Sequence, residues 1–360
     1  MNPYRLRLPG PTAVPERVRL AMARPLLAHR GPEFRRILAR AEELLRPILG
    51  TWNHVFFHAS TGTGMMEAAL VNVLAPGERV LVAVHGQFGE RFGAIAGAMG
   101  ACVDTIETEW GRAPDLAAIE AHLRQREYRA VVAVHSESST AVAGPLAEIG
   151  ALLRNRQELL LVDSVSGLGG MEMRMDEWGV DIMASASQKC LMCPPGLGVA
   201  AISPKAWEVV RRGDRMPRYY WDLRRAMDSA EKTETPFTTT VALVTGLAEA
   251  LEMIHEEGLP RVLARHERLS RMLREGCETI GLPSFARENH SHTVVALDAG
   301  DRGKEIVRAL YERFGTVIAG SRNKLSGRVI RIGTMGCVTE EDIQTDLEQL
   351  KACLANPAFA

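Results

Sequence analysis

Between residues 50 and 203, short aliphatic and β-branched runs alternate with amphipathic stretches, and nothing else in the chain restricts its fold as strongly. "HVFFHA" (54–59), "RVLVAV" (79–84), "AVVAVH" (130–135), "LLLVD" (159–163) and "VDIMASA" (180–186) read as buried strands. The stretches 65–74, 88–99 and 114–126 between them read as helices. Such alternation predicts an α/β unit, a mostly parallel sheet covered on both faces. Right-handed crossovers then gather the C-terminal ends of the strands, and any ligand, along one edge.

At 360 residues the chain is too long for one small core. A helical segment is expected over 204–282, including a long stretch over 239–257. "TVVAL" (293–297), a helix near 303–314, "RVIRI" (328–332) and a helix from Thr339 form an α+β pattern. This divides the chain into an extended Pro/Gly-rich arm (1–15), a large domain (16–257) and a small C-terminal domain (258–360). A net charge of −1 gives no electrostatic reason to expect nucleic acid or an anionic membrane. No apolar run approaches the roughly 20 residues that span a bilayer, and "MNPYRLRLPGPTAVP" lacks the apolar core of a secretory signal. Six scattered cysteines form no disulfide framework and fit a reducing cytoplasm best. Cys190-x-x-Cys193 has no second pair at zinc spacing, so no metal is expected.

Asp163 ends the most apolar run of the chain. A carboxylate there is costly unless it meets a cation. Lys189 lies just past the next strand, "ASASQK", and neighbouring parallel strands would bring the two side chains to one edge. Spacing alone leaves an ordinary salt bridge as an equal reading. "HASTGTGMMEAAL" (58–70) adds a strand, a Gly/Thr turn and a helix, whose first N–H groups, with the hydroxyls of Thr61 and Thr63, make a phosphate cradle. It is not a dinucleotide fingerprint, because Glu67 stands at the sixth position and no acidic residue follows "RVLVAV". Nor is it a Walker loop, since no lysine follows the glycines. Cradle, aspartate and lysine together suit pyridoxal phosphate. That cofactor requires a Schiff-base lysine, an acid facing its pyridine nitrogen and donors for its phosphate.

"GPTAVPERV", "STGTGMMEAALVNVL", "HSESSTAV", "LLLVDSVSGLGG", "MDEWGVDI", "ASQKCLMCPPGLG" and "GRVIRIGTMG" occur in that order from residue 9 to 336. Together they resemble the class V pyridoxal-phosphate-dependent aminotransferases, and most closely the alanine–glyoxylate and serine–glyoxylate branch. The resemblance implies the fold type I of these transferases, with a mostly parallel seven-stranded sheet plus a small α+β domain. It implies Lys189 as the Schiff-base residue, Asp163 as partner of the pyridine nitrogen and Val165 against the ring. Thr61, Gly62 and Thr63 match the phosphate loop, with Gln188 helping. Ser138 matches a hydrogen-bonding group for the ring hydroxyl. Phe88 stands where close relatives stack a tryptophan, keeping the stacking and losing the indole donor. Thr240 matches a residue that reaches the phosphate of the neighbouring subunit, which implies a homodimer with its sites at the interface. Phe237 replaces a tyrosine in that contact.

Arg331 interrupts the apolar "RVIRIG". By itself it could be a wet residue on an edge strand, whereas the resemblance makes it the clamp for the substrate's α-carboxylate, a role suited to a planar fork. A single such arginine implies a small neutral amino donor, alanine or serine, and a 2-oxo acid acceptor such as glyoxylate or pyruvate. Arg30 or Arg322 in the pocket would shift the expectation toward aspartate or an aminophosphonate, and His29 has no assigned role. A lyase or cysteine desulfurase of the same class is the alternative, although those enzymes place a histidine where Gln188 stands. His290-Ser-His292 is expected as a surface loop, and Met65, Met66, Met171, Met173 and Met175 as packing. No G-x-S-x-G elbow supports a hydrolase.

Overall fold

The computed structural model describes residues 4–213 and 216–355. Its centre is a seven-stranded sheet. The strands lie in the order Val55–Ser60, Gly196–Ile202, Ile182–Ala186, Leu159–Asp163, Ala130–Val134, Arg79–Val84, Cys102–Glu107. Only Gly196–Ile202 runs against its neighbours. Each strand sends alternate side chains to opposite faces. Leu160 and Val162 therefore join one core cluster, with the helices Pro32–Leu49 and Val241–Glu257, while Leu159 and Leu161 join another, with Gly62–Val71 and Gln87–Ala98. Both faces are dry, which is why these runs carry no polar alternation.

Two strands escaped the sequence pattern. Cys102–Glu107 is an edge strand whose polar residues face solvent, and Gly196–Ile202 follows two prolines and contains four small residues. The helical expectation over 204–282 is corrected. Pro204–Arg212, Leu223–Ala230, Val241–Glu257 and Leu259–Thr279 are helices, but 216–222 and 231–240 are irregular and carry Tyr219, Tyr220 and Trp221. The His290–His292 stretch is also better anchored than a surface loop. Ser291 is buried, with its Oγ 2.8 Å from that of Ser136, and His290 forms a bridge with Val142.

Toward the C-terminus, a three-stranded sheet packs on the helices Leu259–Thr279, Gly303–Phe314 and Glu340–Leu354. The N-terminal arm docks here: Arg5–Leu6 pairs in parallel with Thr316–Val317. Arg7 Nε donates to Asp346 Oδ2 at 2.7 Å and Arg5 NH1 to Oδ1 at 2.5 Å, with Arg7 and Asp346 both buried. Removing the carboxylate would strand a buried guanidinium. Asp346→Ala is therefore expected to cost about 3–5 kcal/mol in denaturant unfolding, and a loss below about 1 kcal/mol, the scale of an exposed pair, would show that the arm is not held this way.

Candidate active site

Leu159–Asp163 and Ile182–Ala186 are adjacent and parallel, with Asp163 opposite Ala184. A tight turn follows, in which Cys193 N–H donates to the Ser187 carbonyl at 3.0 Å, and it delivers Lys189 to the edge where Asp163 ends. Both side chains line a cavity of about 220 Å³, together with Thr61, Gly62, Thr63, Phe88, Val165 and Gln188. Eight residues from four separate stretches of chain thus meet at one place.

Asp163 is buried, and the Val165 N–H donates to its Oδ1 at 2.9 Å. Burial pushes its carboxyl up to about 6, against the pull of that N–H and of Lys189 and Arg91. Burial likewise brings the Lys189 amine down to about 8, although Cys190 and Asp163 favour its charged form. Lys189 Nζ donates to the carbonyl of Pro9. Thr12 fastens the arm beside it, donating through its N–H to the Gln188 carbonyl and through Oγ1 to that of Lys189, both at 3.1 Å. Gly10, at φ +103°, lies so close that a Cβ would collide with the Lys189 side chain.

Thr61 caps the helix Gly62–Val71, its Oγ1 accepting from Gly64 N–H at 3.2 Å. A Cβ on Gly62 would stand 2.5 Å from Val165 Cγ2, so only glycine lets this turn close against the strand end. Gln188 Oε1 is buried without a hydrogen-bond partner. An orphaned polar atom beside a capped helix N-terminus and a buried carboxylate suits a ligand carrying both an anion and a ring nitrogen.

The other expected residues lie outside this wall. Ser138 is buried one layer back, and its Oγ donates to Ser166 Oγ at 2.6 Å. Thr240 precedes the helix Val241–Glu257, and its Oγ1 is buried without a partner. Phe237 stacks on Tyr220 at 5.1 Å. Arg331 stands on the central strand of its sheet, not on an edge, so the wet-surface reading is corrected. Its NH1 donates to the Ser138 carbonyl at 3.1 Å and its NH2 to that of Gly320 at 2.8 Å, while Nε is buried without a partner. Arg30 is drawn away toward Glu234, at 3.8 Å, and Arg322 lies near enough to Arg331 to disfavour its charge.

Three contributors were not apparent in the sequence. The arm residues Gly10 and Pro11 reach the cavity from about 180 positions away in the chain. Arg91, three residues after Phe88 and so on the same helical face, lines the wall. Glu137 is fully buried and accepts from the Phe88 and Gly89 N–H groups at 2.9 and 3.2 Å, fixing the turn that carries Phe88. A glutamate inside the "HSESST" run was its only signal.

Comparison with known proteins agrees with this geometry. The family model described as aminotransferase class-V matches residues 19–345. The chain is 37% identical to the small subunit of a soluble hydrogenase from Synechococcus, over 98% of this chain and 94% of that one. It is also 37% identical to the L-aspartate–glyoxylate aminotransferase of Paracoccus denitrificans, over 92% of this chain and 86% of that one. The crystal structure of an alanine–glyoxylate aminotransferase from Nostoc superposes with a TM-score of 0.93 at 32% identity, covering 98% of this chain and 95% of that one. Motif order, sheet topology and these matches agree: the protein is an enzyme of the class V aminotransferase family, of fold type I, with pyridoxal phosphate as its cofactor.

Proposed function

We propose that the enzyme moves an amino group from a small neutral amino acid, alanine or serine, to a 2-oxo acid such as glyoxylate or pyruvate, in two half-reactions at one site. The observation that carries this reading is the state of Arg331. Two of its nitrogens are fixed to backbone carbonyls, the third is buried without a partner, and no carboxylate among the described residues lies within ion-pair distance. A rigid guanidinium without a direct ion-pair partner, its charge favoured only at longer range by Glu137, is suited to one α-carboxylate. Arg30 is drawn toward Glu234 and supplies no second clamp, while Arg322 stands beside Arg331 and is the cation that an acidic donor would have to use.

Bound pyridoxal phosphate supplies an aldehyde that joins to amines and a protonated ring that takes up the electron pair released at the α-carbon. Lys189 Nζ moves the α-proton, and Asp163 holds the proton on the ring nitrogen. Thr61, Gly62, Thr63 and Gln188 hold the phosphate. Phe88 and Val165 confine the ring and exclude water from its faces. Ser138, one layer back, keeps Arg331 in place through its carbonyl, and Thr240 completes the phosphate site of the second subunit of a homodimer. The site works in a reducing cytoplasm.

A desulfurase reading is disfavoured by the cysteines next to the lysine. Burial pushes the thiols of Cys190 and Cys193 up to about 12, so neither supplies the thiolate that attack on sulfur requires. A screen of amino donors against glyoxylate and pyruvate tests the proposal. Alanine or serine should exceed aspartate in kcat/KM by about tenfold or more, the effect of one unmatched charge. Aspartate or an aminophosphonate turning over faster than both would sink it.

A further inference from the structure

Arg91 has no role in the assignment above, yet its surroundings are unusual for a surface arginine. It lies on the helix Gln87–Ala98, one turn beyond Phe88. Its guanidinium carbon stands 4.7 Å from the centroid of the Phe88 ring, a cation–π geometry that fixes the plane of the fork. Its NH1 donates to Thr63 Oγ1 at 3.2 Å, which ties it to the helix turn read as the phosphate cradle. It lines the same cavity as Asp163 and Lys189. Among the described residues no carboxylate lies within ion-pair distance of it.

Charge balance gives this arginine a purpose. A phosphate monoester carries about −1.5 to −2 near neutral pH, and a helix N-terminus offers about +0.5. Thr61, Thr63 and Gln188 add only neutral groups. The cradle therefore lacks a full positive charge, and Arg91 is the cation already hydrogen-bonded to it. We propose that Arg91 is the counter-charge of the cofactor's phosphate, a positioning residue held flat by Phe88 so that its free N–H groups meet an anionic oxygen at the rim of the cradle. The assignment rests on the reading of residues 61–63 as the phosphate loop. It also bears on the substrate reading: with Arg91 committed to phosphate, this arginine is removed from the cations that could hold a donor's second acidic group.

The test compares pyridoxal phosphate with pyridoxal, which lacks the phosphate, in titrations of the cofactor-free protein followed by the ligand's visible absorbance. Arg91→Gln should weaken pyridoxal phosphate about 10- to 100-fold, the loss of one charge-assisted contact, and leave pyridoxal within about twofold. Arg91→Lys should recover part of that loss, because it restores the charge without the fork. Equal loss for both aldehydes, or no loss for either, overturns the assignment. Unchanged affinities with a selective fall in aspartate turnover also overturn it, in favour of a clamp for a substrate's distal carboxylate. Thr63→Val separates the layers. If it removes the preference for the phosphorylated aldehyde while Arg91→Gln does not, only the arginine's role falls; if neither does, the cradle reading falls with it.

Discussion

Lys189→Ala should give a folded protein that still takes up pyridoxal phosphate but turns over amino donor about 10⁴-fold more slowly, or worse. The effect comes from what burial does to this amine. An ordinary lysine, near 10.5, is only about 0.1% neutral at pH 7.5, whereas one brought down to about 8 is about one quarter neutral. Only the neutral form attacks an aldehyde or accepts a proton from carbon. The arm adds to the burial, because Gly10 leaves the side chain no spare room, while the Pro9 carbonyl, accepting from Nζ, works the other way and favours the charged amine. Lys189→Arg should be as inactive, since a guanidinium stays charged at any working pH. Stopped-flow measurement of the first half-reaction with alanine checks this directly. A rate in either variant above about 1% of the native one, outside the span of proton-transfer effects, would move the proton carrier to another residue.

Most of what places the site was legible because it is local. Asp163 and Lys189 each end a strand or the turn after it, and the parallel pattern already implied that such ends converge. The Thr61–Thr63 turn was legible for the same reason, as a break between a strand and a helix. What escaped depends on long-range contact. The approach of Gly10 and Pro9 to Lys189 leaves no trace in the arm's own sequence beyond Pro and Gly. Glu137 reads as one more polar residue until its carboxylate is seen under the Phe88 turn. Ser138 was matched to a ring contact by the family resemblance alone, and its two contacts, a hydroxyl donating to Ser166 and a carbonyl accepting from Arg331, left no trace in the sequence. Gly196–Ile202 was missed because a run of small residues carries little strand propensity, and its antiparallel pairing is set by the neighbours on both sides.

Asp163→Asn separates the aspartate's two effects, on chemistry and on stability. Asn keeps the size of the side chain and an oxygen for the Val165 N–H, so the strand end should hold its shape. It removes the negative charge that keeps a proton on the cofactor's ring nitrogen. Donor turnover should fall about 10²- to 10³-fold, the scale for loss of one prearranged electrostatic contact. Stability of the cofactor-free protein should move the other way. The native carboxyl titrates at about 6, above its ordinary 3.8, because burial disfavours the ion. Such a group binds its proton more tightly in the fold than in the unfolded chain. Its stabilising contribution is complete below pH 3.8 and is lost as the pH rises through about 6. Asn has no such titration, so the variant should gain on the native protein across that window, by up to about 3 kcal/mol above it. Thermal unfolding of the two cofactor-free proteins between pH 4 and 8, a range about the folded value, reads the difference. A variant less stable than the native protein at the upper end would mean that attraction to Lys189 and Arg91 outweighs the burial of the carboxylate, and that the fold holds this carboxyl below its ordinary 3.8 instead of above it.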